Sequence, residues 1–296
     1  MVSQQLAPIF KNRPLFIIIG FVLILIFFTW QNNSIMITKS EYCNPKIPDE
    51  FNDFVIAHIS DLHNKRFGRN QSVLLNKLTA TNPDIIIITG DLIDRRKFNL
   101  DIAMEFITGA IKIAPVYYVS GNHEAWSGDY PAIKESLAEA EVTILDFEKV
   151  ELFNGNSSIS LLGVGDPAFL TSSYMEETNV TTLTEQLQQW STDEFKILLS
   201  HRPELFDLYS ESNMDLIFTG HAHGGQIRIP FIGGLVAPDQ GLFPKYTSGS
   251  HTKDSSTMFV SRGLGNSIFP LRIFNQPEIV VVVLNNQTDC KTNIEK

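Results

Sequence analysis

The chain has 296 residues, of which 43% are hydrophobic and 19% charged, and its formal net charge is −10. This length and composition predict a folded globular region rather than an intrinsically disordered chain. The diffuse acidic balance argues against non-specific nucleic-acid binding, which needs a basic surface to displace counterions, so no nucleic-acid partner is expected. It does not exclude a phosphorylated substrate, because bound metal ions can dominate the local field.

The N-terminal segment differs from the rest of the chain. Residues 14–30 (PLFIIIGFVLILIFFTW) carry no charge, and Thr29 is their only polar residue. As a helix they would be about 26 Å long, near the lower limit for crossing a bilayer core of about 30 Å. Lys11 and Arg13 precede this run and residues 31–36 carry no charge. The positive-inside tendency therefore predicts a single-pass membrane protein with its N-terminus in the cytoplasm and its bulk across the membrane.

A cleaved signal peptide is the alternative to a membrane anchor. The sequence FTWQNN at the end of the apolar run lacks the small residues of a typical cleavage site, which favours an uncleaved anchor in the cell membrane. The predicted division is a cytoplasmic N-terminus (1–13), a transmembrane anchor (14–30), a polar linker (31–50) and a globular domain (51–290).

Only two cysteines are present, Cys43 and Cys290, and they bracket the globular region. Their spacing matches no zinc-binding pattern. In an exported domain they could form a disulfide bond that ties its two ends together. Two unpaired thiols near frayed ends are the alternative, and the sequence leaves both possibilities open.

From residue 51 onward, strand-like apolar runs alternate with helix-like segments. Strands are predicted at 54–59, 84–89, 116–119, 142–145, 150–153, 159–164, 196–199, 216–218, 258–260 and 279–284, and helices at 72–80, 101–112, 130–140 and 180–189. The run DIIIIT at 84–89 is typical of a strand buried on both faces. Strands separated by helices indicate an α/β fold, and the β-rich middle and C-terminal parts indicate a second sheet. We expect one domain with a two-sheet core flanked by helices.

Five short polar motifs lie at or near the carboxyl ends of predicted strands. They are DLH (61–63), GDLID (90–94), GNHE (121–124), SHR (200–202) and GHAH (220–223). Loops at this edge of an α/β sheet converge, so residues distant in sequence can share one site. Any one of these motifs alone is most often a turn or a helix cap. All five at strand ends, in this order, predict a single functional site.

The motifs contain the donor groups of a metal site. Asp61 and His63 are two residues apart, so in an extended segment they point to the same side and can hold one ion. Asp91 ends the buried isoleucine strand, where an unpaired carboxylate would be unfavourable, and its two oxygens could bridge two cations. Asn122 adds a neutral oxygen. The remaining imidazoles are those of His201, His221 and His223. This mixture of nitrogen and oxygen donors suits Mn²⁺, Fe or Zn²⁺ better than Mg²⁺ or Ca²⁺.

The ordered series DLH, GDLID, GNHE, HRP and GHAHGG resembles the motifs of the calcineurin-like metallophosphoesterases, a family with a metal-centred two-sheet sandwich. The resemblance covers about residues 54–285. The stretches HAHGGQIRIPF and VSRGLGNSIFPLRIFNQPEIVVV are similar to the exported or membrane-anchored bacterial branch. The protein Ser/Thr phosphatases instead carry glycine at the position of Arg96.

This resemblance implies a role for each motif residue. The first of two divalent ions would be held by Asp61, His63, Asp91 and His223, and the second by Asp91, Asn122, His201 and His221. His123 would act as general acid, with Asp94 orienting its ring. A hydroxide bridging the two ions would attack phosphorus in line. Protonation of the leaving oxygen by His123 would contribute about 10²–10⁴-fold to the rate.

The expected function is that of a membrane-anchored phosphoesterase or phosphodiesterase acting on a phosphorylated small molecule or a lipid-linked substrate. A pyrophosphatase acting on a nucleotide-linked lipid or cell-envelope intermediate, similar to UDP-diacylglucosamine, is the alternative. The predicted orientation disfavours it, because nucleotide-activated lipids are made in the cytoplasm. A non-catalytic metal-binding adaptor is disfavoured because no ligand is missing. The sequence specifies no oligomeric state.

Overall fold

Two six-stranded β-sheets pack face to face in the computed structural model, which describes residues 13–170, 177–266, 269–288 and 290. The helices are α1 (Arg13–Asn33), α2 (Ser72–Thr79), α3 (Leu100–Ala110), α4 (Asn122–Ser127), α5 (Tyr130–Glu139), α6 (Glu177–Gln189) and α7 (Phe206–Glu211). The strands are β1 (Met36–Cys43), β2 (Val55–Ile59), β3 (Ile85–Thr89), β4 (Val116–Val119), β5 (Thr143–Ile144), β6 (Glu148–Asn154), β7 (Ser157–Gly163), β8 (Lys196–Leu199), β9 (Leu216–Thr219), β10 (Arg228–Ile229), β11 (Gly233–Gly234), β12 (Val236–Ala237), β13 (Gly241–Leu242), β14 (Gly249–Lys253), β15 (Ser256–Val260) and β16 (Glu278–Asn285).

The strand order places the parallel strands at the centre of each sheet. The first sheet runs β1-β16-β2-β3-β4-β5 and the second runs β14-β15-β9-β8-β7-β6. In the first sheet β2, β3 and β4 are parallel neighbours, and in the second β7, β8 and β9 are. The carboxyl ends of these strands therefore lie along one edge of each sheet, where the polar motifs follow them.

Successive side chains of β3 point into two different apolar layers, one on each face of the first sheet. Ile85 and Ile87 belong to the apolar layer between the two sheets, together with Phe218 of the second sheet. Ile86 and Ile88 face the other way, into the layer beneath α2, α3 and α5. A third apolar layer lies between the second sheet and helices α6 and α7. The expected α/β fold, with two packed sheets flanked by helices, is confirmed.

The polar linker predicted at residues 31–50 contains a β-strand. Residues 36–43, within the segment 31–50, form strand β1, which pairs in parallel with β16 from Met36 opposite Glu278 to Cys43 opposite Asn285. The alternation of the sequence MITKSEYC is weak, because β1 is an edge strand that is only partly buried. Its pairing covers one edge of the valine-rich β16, which would otherwise be exposed.

Helix α1 extends beyond the predicted anchor at residues 14–30 and ends at Asn33. The side-chain amides of Asn32 and Asn33 donate to the carbonyls of Phe28 and Thr29, which continues the helix through polar residues. Residues 15–33 have a mean hydropathy of 2.2, and the helix is long and apolar enough to cross a membrane. Residues 1–12 of the predicted cytoplasmic segment lie outside the described part of the chain.

The two cysteines form a disulfide bond in this structure. Cys43 ends β1, and its Cα lies 5.4 Å from that of Cys290, which follows β16. The bond joins two residues that are 247 positions apart in the sequence. Of the two possibilities that the sequence leaves open, the structure therefore shows the paired form.

Replacing Cys43 by serine tests the contribution of this bond. Cys43→Ser should lower the free energy of unfolding by about 2–4 kcal/mol, because the unfolded chain loses a long-range constraint. Denaturation in guanidinium measures the change, and Cys290→Ser should cost the same. The double variant should be no less stable than either single variant. If the two costs add instead, the cysteines contribute independently and the bond is absent.

Candidate metal centre

The seven predicted metal ligands lie together at the edge where the two sheets meet. Asp61, Asp91 and Asn122 follow the carboxyl ends of β2, β3 and β4 in the first sheet. His201 and His221 follow β8 and β9 in the second sheet. All of the following side chains are buried: Asp61, His63, Asp91, Asn122, His201, His221 and His223.

One group of donors surrounds the position predicted for the first ion. The Nε2 atoms of His63 and His223 face each other at 3.0 Å. Oδ1 of Asp61 lies 3.4 Å from Nε2 of His223, and Oδ2 of Asp91 lies 3.5 Å from Nε2 of His63. The four donor atoms lie within 4.8 Å of one another.

A second group of donors shares Asp91 with the first. Oδ2 of Asp91 is 3.3 Å from Nε2 of His201. The same nitrogen lies 3.1 Å from Oδ1 of Asn122 and 3.1 Å from Nδ1 of His221. The Asp91 carboxylate therefore lies between two sets of donors, and each set combines residues from several motifs.

These separations fit two small cations. Ligands placed about 2.1 Å from one ion lie about 3.0 to 3.4 Å from each other in tetrahedral or octahedral geometry, and the observed distances are close to that range. The two imidazole nitrogens of His63 and His223 also point at each other, an arrangement that a cation between them would stabilise. Nitrogen and oxygen donors in this ratio suit Mn²⁺, Fe or Zn²⁺.

Backbone conformation is unusual throughout this centre. Asp61, His63, Asp91, His221 and His223 have φ values between 47° and 63°, in the left-handed region that side chains other than glycine rarely adopt. Each such residue costs about 1 kcal/mol or more, and such strain is concentrated at functional sites. Gly90 has a φ of 85°, and a Cβ there would lie 2.5 Å from the amide nitrogen of Gly121. Only glycine therefore lets the loops after β3 and β4 approach this closely.

Hydrogen bonds behind the imidazoles select which ring nitrogen faces the centre. Nδ1 of His201 donates to the carbonyl of Thr89 at 2.7 Å, which leaves Nε2 directed at Asp91. Nε2 of His221 lies 3.0 Å from Asp239 and 3.1 Å from Nη1 of Arg202, while Nδ1 is directed at His201. Such partners fix the tautomer and orientation of metal-binding histidines. Asp239 lies outside every motif, so nothing in the sequence pattern identified it.

Arg202 holds in place the side chains that surround the histidines of the centre. Its guanidinium is completely buried and forms a bidentate pair with Asp166, with Nε to Oδ2 at 2.6 Å and Nη2 to Oδ1 at 3.0 Å. Nη1 also donates to Asp239 at 2.7 Å. Buried arginine pairs of this kind fix geometry through planar, paired donors. Arg202 therefore positions the carboxylate that in turn orients His221.

Glu124 is a second residue whose role is not evident from the sequence motifs. Its buried carboxylate accepts hydrogen bonds from the backbone amides of Asp91 and Gly121, each at 2.8 Å, and from that of Ile93 at 3.3 Å. Burial raises the pKa of Glu124 to about 7, and the charge of Asp91 adds to the effect. Glu124 joins the GDLID loop to the GNHE loop. Its position three residues into the motif GNHE, at the start of α4, is typical of a helix-capping acid.

His123 lies at the wall of a cavity of about 220 Å³ that is also lined by Asp91, Trp126 and Asp239. Its Nδ1 lies 3.2 Å from the backbone amide of Arg95 and 3.6 Å from Oδ1 of Asp94. The amide is thus the nearer partner. Burial lowers the pKa of His123, whereas the carboxylates of Asp91 and Asp94 oppose that shift.

Several ionisable side chains surround the Asp91 carboxylate, which both donor groups share. Burial raises the pKa of Asp61 to about 6. Burial would also raise the pKa of Asp91, but the imidazoles of His201 and His123 outweigh the effect of burial and hold the pKa of Asp91 well below its usual value. Burial alone would lower the pKa of His201, yet Asp91 raises it to about 10. Asp91 therefore stabilises positive charge at the point common to both donor groups, where a metal ion can take the place of a proton.

Comparison with known proteins agrees with this geometry. The family model described as calcineurin-like phosphoesterase matches residues 54–225. The chain belongs to this family. It is accordingly a metal-dependent phosphoric ester hydrolase, and the resemblance noted from its motifs is confirmed.

Three relatives illustrate the similarity. YkuE of Bacillus subtilis, an uncharacterized metallophosphoesterase, is 28% identical over 268 residues that cover 81% of this chain and 82% of YkuE. The phosphodiesterase YaeI of Escherichia coli is 25% identical over 239 residues, with 78% of this chain and 82% of YaeI covered. A Danio rerio transmembrane protein with a metallophosphoesterase domain is 25% identical over 248 residues, with 81% of this chain and 55% of that protein covered.

Removing the Glu124 carboxylate tests its role in joining the two loops. Glu124→Ala leaves buried backbone amides without acceptors, so the free energy of unfolding should fall by about 3 kcal/mol. Glu124→Gln keeps one acceptor oxygen and should recover part of that loss. Urea denaturation measures both, with Glu135→Ala on the exposed face of α5 as a control that should change little. Equal stability of Glu124→Ala and the control would contradict this role.

Proposed function

We propose that this protein is a membrane-anchored phosphodiesterase with a dinuclear metal centre. The single observation that carries the proposal is the Asp91 carboxylate, whose Oδ2 lies within 3.5 Å of imidazoles from both donor groups. The first ion is assigned to Asp61, His63, Asp91 and His223, and the second to Asp91, Asn122, His201 and His221. The name of the relative YaeI supports a diester rather than a monoester as substrate.

When bound, two divalent ions of Mn, Fe or Zn supply a hydroxide nucleophile near neutral pH and neutralise charge on the phosphoryl oxygens. The protein's own part is to fix the donors, because side chains already in place need no reorganisation during the reaction. In the reaction, an oxygen–phosphorus bond forms from water and the phosphorus–oxygen bond to the leaving group breaks. The leaving oxygen then needs a proton.

We assign that proton to His123, which is exposed to the cavity and is absent from both donor groups. The Asp94 carboxylate, 3.6 Å from its Nδ1, would stabilise the protonated ring and help to orient it. Asp94 is itself held by Arg96, with Nε to Oδ1 and Nη2 to Oδ2 both at 3.0 Å. Arg96 thus fixes the carboxylate beside the imidazole.

We also propose that α1 spans the cell membrane once and that the domain from residue 51 to 290 faces away from the cytoplasm. The exposed apolar surface of α1 supports the span. The bond between Cys43 and Cys290 supports an oxidising compartment, since disulfides are rare in the cytoplasm. This orientation favours a diester over a nucleotide-linked pyrophosphate as substrate.

Replacing the shared carboxylate tests the dinuclear assignment. Asp91→Asn should lose most of its bound metal after reconstitution with Mn²⁺ and lower the turnover of bis(p-nitrophenyl) phosphate by about 10³-fold or more, because both ions lose a ligand. Metal content by mass spectrometry is the measurement. Asp84→Asn, at the other end of the same strand, is the matched control and should bind metal normally. Full metal content in Asp91→Asn would refute the assignment.

Replacing His123 separates metal binding from proton transfer. His123→Gln should keep its metal but turn over alkyl phosphodiesters about 10²–10⁴-fold more slowly, because the alkoxide leaving group needs a proton. The loss should be much smaller for p-nitrophenyl esters, whose leaving group is stable as an anion. His251→Gln, remote from the centre, serves as control. Undiminished hydrolysis of an alkyl diester by His123→Gln would show that another group is the acid.

A further inference from the structure

Several loops of the domain carry exposed apolar side chains, and one of these side chains, Phe274, contacts helix α1. Phe231 is fully exposed and Leu242 is 72% exposed, although both lie in loops of a domain with a well-formed core. We call the following five exposed residues the apolar rim: Phe231, Ile232, Leu242, Phe243 and Phe274. Five exposed apolar side chains grouped on a domain surface mark an interaction site.

Contacts link the rim directly to the anchor helix. The ring of Phe274 packs edge-to-face against that of Phe27 in α1, with centroids 5.7 Å apart. Phe274 also lines one cavity together with Phe231 and Ile232. Phe27 lies six residues before the end of α1, which is about 9 Å along the helix axis. A bilayer that surrounds the whole apolar part of α1 therefore extends along the helix as far as Phe274.

The end of α1 is held on the domain by hydrogen bonds rather than by a flexible connection. Oε1 of Gln31 accepts from the backbone amide of Asn275 at 3.1 Å. Oδ1 of Asn32 accepts from the backbone amide of Arg272 at 3.2 Å. These bonds flank Phe274 in sequence, so the orientation of the rim relative to the anchor helix is fixed.

The segment of residues 272–275 is also connected to the metal centre. The side-chain amide of Asn275 donates to the carbonyl of His223 at 2.7 Å. The hairpin β12–β13 makes a second connection between the apolar rim and the metal centre. Leu242 pairs with Val236 at the open end of this hairpin, and Asp239 lies in its turn. Asp239 lines the cavity above the donors and contacts His221. Leu242 and Asp239 are three residues apart, which is at most about 11 Å of extended chain.

A lipid bilayer fits the rim better than a protein partner does. The rim is continuous with the apolar surface of α1, whose residues from Leu15 to Ile26 are largely exposed. A membrane that covers this helix covers the adjoining aromatic side chains without any further partner. Aromatic and leucine side chains beside a span are typical of the membrane interface.

We propose that the apolar rim inserts into the leaflet at the C-terminal end of α1 and places the metal centre within reach of phospholipid headgroups. The substrate class is then a phosphodiester carried by a lipid of that leaflet. This inference rests on the anchor and the phosphodiesterase activity of the proposed function. It adds that the substrate enters from the bilayer surface, past Leu242 and Asp239.

Rim insertion can be measured without any activity. The full chain, reconstituted in nanodiscs of phosphatidylcholine and phosphatidylglycerol, would carry an environment-sensitive fluorophore on Phe231→Cys or Leu242→Cys. Its native cysteines are paired and so do not react. A lipid with a nitroxide near the headgroup end of its acyl chain should quench these labels severalfold more than a label on Phe153→Cys. Phe153 is 77% exposed on the edge strand β6, which makes it a matched control. Equal quenching at the three positions would overturn the proposal.

The substrate class requires a second measurement on the same nanodiscs. Phe231→Ser/Phe243→Ser should slow the hydrolysis of an embedded diacylglycerol p-nitrophenyl phosphodiester about tenfold, because shallow insertion depends on the apolar area buried. Hydrolysis of soluble bis(p-nitrophenyl) phosphate should not change, nor should either rate in Phe153→Ser. An equal loss on both substrates would assign the rim a structural role and refute the proposal. Failure of the unsubstituted protein to hydrolyse the soluble diester would refute the proposed activity, while the quenching result would still decide on insertion.

Discussion

The structure depends on one buried carboxylate that must stay charged. Asp91 follows the most deeply buried strand of the first sheet and is almost completely inaccessible to solvent. An isolated charge in that position would be strongly unfavourable, so its surroundings must compensate. His201 and His123 supply that compensation, and the backbone amide of His123 donates to Oδ1 at 2.8 Å. The arrangement leaves Oδ2 directed at both donor groups.

The two-sheet architecture explains why such a centre can form from distant residues. The parallel strands of both sheets end at a common edge, so their loops meet there without long connections. Five of the predicted ligand residues adopt strained backbone conformations, and Glu124 supports one of the loops while Arg202 supports another. Packing of the apolar layers on both faces of each sheet keeps these supports rigid.

Periodicity and strand-end motifs were sufficient to predict most of the core. Strands β4 and β8 have the predicted limits, and the other main strands differ from prediction by three residues or fewer at each end. The residues of the two donor groups could be selected from the sequence because each lies in a short polar motif after an apolar run. Glu124 was visible in the motif GNHE, but its link to the GDLID loop depends on tertiary contacts. Asp239 contacts His221 directly and Asp166 acts through Arg202, and neither belongs to a local pattern.

The connection between helix α1 and the rest of the domain was less predictable, because it also depends on tertiary contacts. Strand β1 has weak alternation, and its pairing with β16 depends on residues more than 230 positions away. The docking of Gln31 and Asn32 likewise depends on residues 272–275. The sequence therefore predicted only a polar linker at residues 31–50, whereas in the structure hydrogen bonds hold the end of α1 against residues 272–275 and join Asn275 to His223.

Anomalous X-ray diffraction from crystals reconstituted with Mn²⁺ would locate the metal ions themselves. A dinuclear centre should give two strong peaks about 3.5–4 Å apart, as in other two-metal sites. One peak should lie among Asp61, His63 and His223, the other among Asn122, His201 and His221, and Asp91 should be between them. A single peak, or two peaks that do not share Asp91, would contradict the dinuclear centre.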